Sequence, residues 1–256
     1  MTGTAIRPEP PQPRAGGRPP RGPDGLRIYA VGDVHGRRDL FAAMAAMIDA
    51  DAAAHPHRRP VEILLGDLID RGPDSAGVMD AVIARRNTRE LTVLRGNHEQ
   101  YLIDALAGEE SFARWMQYGG EAALASYGIA ARDVAGNLRP TGELACAIRS
   151  ALPDAHRALL ASLADAVRHG DYLFVHAGIR PGVPLEQQDP SDLVMIRDGF
   201  LDDPTDLGLV VVHGHTPVAE PAIRTNRIGI DTRAWESGRL TCLVIDGAER
   251  QILATG

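Results

Sequence analysis

An α/β fold is what this sequence predicts, and three observations carry the prediction. Five short apolar runs have the length and composition of strands: Arg27 to Val31, Val61 to Leu65, Leu91 to Leu94, Tyr172 to Val175 and Leu209 to Val212. The first three are each followed by apolar residues at helical spacing. Every run also stops abruptly at a loop holding Asp, His or Asn beside glycine, where α/β proteins gather polar groups beyond the carboxyl ends of strands. One Asp after one strand would be an ordinary turn residue. Five such endings make a pattern.

Taken in order, the chain begins with residues 1–25, rich in Pro, Gly and Arg, including Arg7, Arg14, Arg18 and Arg21. Such a segment cannot bury enough apolar surface to offset its ordering entropy, so it is expected to be a disordered tail. Residues 26–256 are expected to form one domain. Asp39 is the expected cap of a first helix with Leu40, Phe41, Met44, Met47 and Ile48 on one face. Asp74, after Gly72-Pro73, opens a second helix through Val78, Val82 and Ile83. A third begins near His98 and carries Tyr101, Leu102 and Leu106. Residues 111–169 read as mainly helical, broken at Gly119-Gly120, Gly128 and Pro153, and form a helical insert that caps or flanks the domain. Strands return at Ile228 to Asp231 and Leu240 to Asp246, joined by the turn-like Glu236-Ser237-Gly238.

Composition narrows the function. A net charge of −7 over 256 residues leaves no basic footprint for a nucleic-acid backbone or an anionic membrane. All 27 basic residues are Arg, which removes Schiff-base, P-loop and kinase lysine chemistry. Cys146 and Cys242 have no metal or disulfide spacing and read as reduced thiols. With neither a membrane-length apolar run nor a secretory leader at the N-terminus, the expectation is a cytoplasmic monomer without membrane or nucleic-acid partners.

The strand endings hold the chemistry. Asp33 and His35, two apart, share a side if the chain stays extended and could grip one metal ion. Asp67 ends the next strand, and its two oxygens could bridge two ions. Asn97 offers an amide oxygen, and His176 and one histidine of His213-Gly214-His215 complete a mixed oxygen and nitrogen set. Such a set suits Mn²⁺, Fe or Zn²⁺ and lacks the thiolates of a structural zinc site. Spacing alone does not choose between His213 and His215.

Together Gly32-Asp33-Val34-His35-Gly36, Gly66-Asp67-Leu68-Ile69-Asp70-Arg71-Gly72, Gly96-Asn97-His98-Glu99, His176-Ala177-Gly178 and Gly214-His215-Thr216-Pro217 resemble the phosphoprotein phosphatases of the metallophosphoesterase superfamily. Trp115 and Gly119-Gly120 bring the likeness nearest to the short bacterial and phage branch. The resemblance spans residues 28–246 and implies a four-layer αββα sandwich with two mixed sheets. It implies that Asp33, His35 and Asp67 hold one metal ion, and Asp67, Asn97, His176 and His215 the other, with manganese first among the candidates. It chooses His215 over His213, which becomes a packed or supporting residue. A hydroxide shared by the two ions would attack phosphorus, His98 would protonate the leaving oxygen, and Asp70 would hold His98. Arg71 would bind phosphate, and Arg197, in a thinner match, would be the second phosphate-binding arginine.

Phosphorylated Ser, Thr or Tyr side chains of proteins are the substrate this resemblance implies first, with small phosphoesters beside them. A symmetrical diadenosine polyphosphate hydrolase is the alternative, and Glu99 and Asp70-Arg71 favour the protein phosphatase. A binding scaffold without catalysis fits poorly with an intact set of donors, acid and arginine. Other polar residues receive ordinary readings: His55, His57, Arg37-Arg38 and Arg85-Arg86 as solvated groups, and His156 and His169 as residues on or at the ends of helices. Asp231 ends a strand and could shape the site without ligating metal.

Overall fold

The computed structural model describes residues 18–256. Two five-stranded sheets lie face to face. The first has β10 (Glu249–Ala254), β9 (Thr241–Asp246), β1 (Leu26–Val31), β2 (Arg59–Leu64) and β3 (Leu91–Val93) in that order. The second has β4 (Ala166–His169), β5 (Tyr172–Val175), β6 (Val210–His213), β8 (Arg227–Gly229) and β7 (Ala222–Ile223). Strands β1, β2 and β3 run parallel, as do β5, β6 and β8, while β9, β10, β4 and β7 join antiparallel, so both sheets are mixed.

Alternation along each strand builds the layers. Ile28 and Ala30 of β1, Val61 and Ile63 of β2, and Leu243 and Ile245 of β9 meet Tyr172, Phe174, Val210 and Val212 between the sheets. Tyr29, Val31, Leu64 and Val244 face the other way, onto Phe41, Met44 and Ile48 of α1 (Arg38–Ala54), Val78 and Val82 of α2 (Ser75–Arg86) and Leu102 of α3 (Asn97–Ala107). On the far side, Leu173, Val175 and Val211 pack on Leu193 of α8 (Pro190–Met195) and on Phe200. Burial on both faces is why the predicted runs are continuously apolar rather than alternating.

The helical stretch holds α4 (Glu109–Trp115), a five-residue π turn (Met116–Gly120), α5 (Glu121–Ser126), α6 (Thr141–Ala151) and α7 (Asp154–Ala161), and it ends in strand β4. A short α9 (Ala234–Ser237) lies between β8 and β9. Among the described residues no helix is long and apolar enough to cross a membrane.

Several local expectations change. Helix α1 starts at Arg38, and the Asp39 carboxylate binds the Arg37 guanidinium instead of capping amides. Asp74 does cap α2, accepting from the Gly77 amide at 2.8 Å. His169 lies on β4, and His156 is buried in the first turn of α7 between the Tyr127 hydroxyl and Asp80. Arg85 is not solvated: it is clamped between Glu62 and Asp49. The turn-like residues before β9 belong to α9, and the strands on either side of it join different sheets. Within the segment read as a disordered tail, residues 1–17 lie outside the described residues. Residues 18–25 run along the domain, where Gly22 N donates to Gly247 O at 2.8 Å and Arg21 N to Asp171 at 2.9 Å.

Candidate active site

Six parallel strands from two sheets deliver their carboxyl ends to one edge, and the loops leaving them carry Asp33 and His35, Asp67 to Arg71, Asn97 and His98, His176, His213 to His215, and Asp231. Asp33, His35, Asp67, Asp70, Asn97, His98, His176, His215 and Asp231 are all buried. The turns are tight. His35, Asp67, Asp70, Arg71 and His215 all have φ between 44° and 70°, a left-handed backbone that costs free energy for a non-glycine residue and concentrates at functional sites. His35 therefore reaches the site through a turn, not along an extended chain. Close approach also needs glycine: a Cβ on Gly214 would overlap an Asp33 carboxylate oxygen.

Asp67 stands at the centre. One of its oxygens faces His35 Nε2 at 3.5 Å and His98 Nε2 at 3.9 Å, and the other faces His176 Nε2 at 3.4 Å. Ligand-capable atoms of His35, Asp67 and His98 lie within 4.8 Å of one another, and so do those of Asp67, His176 and His215. Asn97 Oδ1 lies 3.0 Å from His176 Nε2 and 2.8 Å from His215 Nδ1. Asp33 is tied in through the His215 amide, at 3.1 Å. His213 does not join them; its Nδ1 is 3.0 Å from Gly214 O and its ring packs on Phe200.

The donor set fits divalent cations on physical grounds. His35 Nδ1 lies 2.8 Å from Ile69 O, and His176 Nδ1 lies 2.7 Å from Leu65 O. A carbonyl only accepts, so each Nδ1 carries the proton and each Nε2 turns a lone pair inward. For His176 that lone pair meets the Asn97 amide oxygen and an Asp67 oxygen, acceptor against acceptor. Burial drives the His35 and His215 imidazoles down to about 3 and keeps them neutral, the form that ligates metal. Burial first, then repulsion from Asp231 and Asp67, pushes the Asp33 carboxyl well above its usual range, and burial with the Asp67 charge lifts Asp231 to about 6. His215 Nε2 has no hydrogen-bond partner. Lone pairs and crowded carboxylates of this kind call for positive charge among them.

Around this centre lies a second set. His98 Nδ1 is 2.7 Å from Asp70 Oδ2, and its Nε2 is buried without a partner. Burial alone would lower the His98 imidazole; the Asp67 charge and the Asp70 hydrogen bond raise it instead. The Trp115 indole N–H donates to both Asp70 oxygens, at 3.0 and 2.9 Å. Arg71 stands 3.2 Å from His35 Nε2 and over the Trp235 ring, its backbone pressed against Gly119, whose φ is 108°. Arg197 donates to His215 O at 3.2 Å.

The ten sequence-predicted residues lie together here, but the ligand-capable group on one side of Asp67 holds His35 and His98, whereas Asp33 is joined through the His215 amide. Three further contributors have weaker sequence signals. Glu99 accepts from the Gly96, Asp67 and Leu68 amides and pins the β2 loop to the start of α3; burial, then the Asp67 charge, raises it to about 7. Trp115 and Asp231 are the others. Glu99 and Trp115 are visible in the sequence only as parts of a motif, and Asp231 only as a strand ending.

Residues 26–239 match the family model described as calcineurin-like phosphoesterase. The chain belongs to that family. Among its relatives, the serine/threonine-protein phosphatase 1 of Salmonella typhimurium is 34% identical over 94 residues, 37% of this chain and 39% of that protein. An asymmetrical bis(5'-nucleosyl)-tetraphosphatase of Anoxybacillus flavithermus is 26% identical over 231 residues, 83% of this chain and 88% of that protein. Among solved structures, a putative diadenosine tetraphosphatase superposes with a TM-score of 0.59 at 20% identity, covering 91% of this chain and 95% of its own. A cold-active protein-tyrosine phosphatase of a Shewanella species superposes with a TM-score of 0.54 at 17% identity, covering 89% and 80%.

Proposed function

We propose that this chain is a binuclear metallophosphatase that removes phosphate from phosphoserine, phosphothreonine or phosphotyrosine side chains. The convergence of unprotonated imidazole nitrogens, the Asn97 oxygen and buried carboxylates on the two sides of Asp67 carries the reading. Asp33, His35 and Asp67 would hold one divalent ion, and Asp67, Asn97, His176 and His215 the second, with manganese first and iron or zinc compatible with the same donors. Such ions, when bound, offset the phosphate charge and make water a stronger nucleophile.

The chain's own residues supply the rest. Arg71 and Arg197 stand where paired N–H groups can bind the phosphate oxygens and turn the phosphorus toward Asp67. As water attacks and the ester P–O bond breaks, the leaving oxygen takes the proton from His98 Nε2. Asp70 accepts from His98 Nδ1, which stabilises the charged imidazole and aims Nε2 inward, while Trp115 holds Asp70 through both oxygens.

A second reading, hydrolysis of nucleoside polyphosphates, is favoured by the likeness to the Anoxybacillus tetraphosphatase over 83% of this chain. Turnover of matched phosphoserine, phosphothreonine and phosphotyrosine peptides beside diadenosine tetraphosphate, all with added Mn²⁺, separates the two. Hydrolysis of the dinucleotide alone would remove the phosphoprotein reading.

A further inference from the structure

A cavity of about 870 Å³ opens beside the amino ends of β5 and β8, at the edge of the second sheet opposite the candidate site. Its wall carries Arg224, Arg227 and Arg250. Arg224 and Arg227 stand opposite each other across the turn from β7 to β8, where Arg224 N donates to Arg227 O at 2.8 Å. The Arg227 guanidinium is fixed by uncharged oxygens: Asp203 O at 3.3 Å, Asn226 Oδ1 at 3.2 Å and Leu201 O. Arg250 arrives from the first sheet; its Nε donates to the Tyr172 hydroxyl at 2.7 Å and its guanidinium lies 5.3 Å over that ring.

Most described arginines have a carboxylate within 4.0 Å. Among the described residues these three have none. Arg18, also in the wall, is neutralised by Asp171 at 3.0 Å. Of the two carboxylates lining the cavity, Asp203 is turned into its own loop, where it accepts from the Thr205 amide at 2.8 Å, and Asp202 forms no ion pair. Burial, then the Arg224 charge, lower the Arg227 guanidinium from its ordinary value, against the pull of Asp202 and Asp203.

We propose that this cavity is an anion site, separate from the candidate active site, that takes a linear triphosphate chain along Arg224, Arg227 and Arg250. Guanidinium groups pair two parallel N–H donors with phosphate oxygens and give up water readily. Like charges held together repel, and a polyanion laid between them removes that repulsion. The volume matches cavities that hold whole small molecules and exceeds what one phosphate fills. Free polyphosphate and the phosphate chain of a nucleotide share this chemistry.

Calorimetry with inorganic tripolyphosphate tests the site on the full chain, in EDTA so that no divalent ion chelates the probe. Saturable binding is expected, weakened at least about ten-fold in Arg224→Glu and about five-fold in Arg250→Gln, since each loses a charge-assisted pair. Arg224 is exposed and without a side-chain partner among the described residues, so its replacement should leave the fold intact. Arg71→Ala and Arg86→Glu should bind as the wild type does: the first removes an arginine of the candidate site, and the second makes the same charge change at another exposed position. No saturable binding up to about 5 mM, an equal loss in Arg86→Glu, or a loss confined to Arg71→Ala overturns the proposal. ATP under the same conditions names the source, and both results support the site. Binding no more than about three-fold tighter than tripolyphosphate assigns the phosphate chain alone, and a larger gain that is lost in Arg224→Glu assigns a nucleotide.

Discussion

Strand β1 starts in one buried polar cluster and ends in another, and the two are built on opposite principles. At its start, Arg27 donates to both Asp51 oxygens at 2.6 and 3.0 Å, to Asp246 at 3.2 Å and to Gln251 at 3.3 Å, and the Tyr29 hydroxyl donates to Asp51 at 2.6 Å. Every charge there meets its opposite, on unstrained backbone. At its end, Asp33, Asp67 and Asp231 repel one another, imidazole lone pairs face oxygens, and the turns run left-handed. Burial of a charge is tolerated when it is paired. The first cluster is paired internally and serves the fold. The second leaves lone pairs and charges that a divalent cation would offset, and that deficit, more than burial or polarity, sets the candidate site apart.

Removing one charge from each end should therefore have opposite effects. Asp67→Asn is expected to lower phosphate release by at least about a thousand-fold, since in the proposed reading both ions would lose a ligand. Metal-free, the variant should unfold near the wild-type temperature, because an amide oxygen can still accept from the His98 N–H and the repulsion toward Asp33 offsets the lost attraction to the surrounding imidazoles. A clear drop in that melting temperature would erase the contrast. Arg27→Ala should do the reverse: it strands Asp51 and should cost about 3–5 kcal/mol in urea unfolding. Phosphate release per folded molecule should stay at the wild-type level, and a large loss there would mean that the two ends are coupled.

Trp115→Phe tests how far the functional end extends. Losing the indole N–H should slow hydrolysis of alkyl phosphates by about 10–100-fold, the usual effect of removing a supporting hydrogen bond, and aryl phosphates less, because a phenoxide needs less help from His98. Equal losses on both would assign Trp115 to packing.

The smallest expected difference is in pH dependence. Asp51 is held below its usual range by its Arg27 hydrogen bond, which outweighs its burial, so its stabilisation is present above about pH 4 and fades as acid protonates the folded state. Asp231 is raised by burial to about 6, so the folded state binds the extra proton between about pH 4 and 6 and loses stability as pH rises through that window. Against Asp231→Asn, the metal-free wild type should lose about 1–2 kcal/mol across it by chemical unfolding. A flat difference would deny Asp231 its place among the crowded carboxylates.

What the sequence makes legible is what is local or carried by a motif. Strand runs, the Asp74 cap and the donors at strand endings depend on neighbouring residues, so Asp33, His35, Asp67, Asn97 and His176 stand out from the order of residues alone, while His98 and the choice of His215 over His213 came from the family motifs. Local reading fails where a distant partner decides. Asp39 loses its cap to Arg37, and Arg85, which looks solvated in sequence, is claimed by Glu62 from β2 and Asp49 from α1. Helical period misplaces His169, whose strand exists through pairing with β5.

The sequence by itself determined that candidate metal donors follow the strands, because turn chemistry and apolar runs are short-range. The two mixed sheets followed from the family resemblance; only the tertiary structure decided which strands pair in each sheet and that their carboxyl ends meet. It also decided that Nδ1 of His35 and His176 is spent on the Ile69 and Leu65 carbonyls, and that Trp115 reaches back 45 residues to hold Asp70. The reason is physical: pairing order, tautomer and lone-pair direction are set by whichever groups arrive from elsewhere in the chain, and those exist as neighbours only after folding.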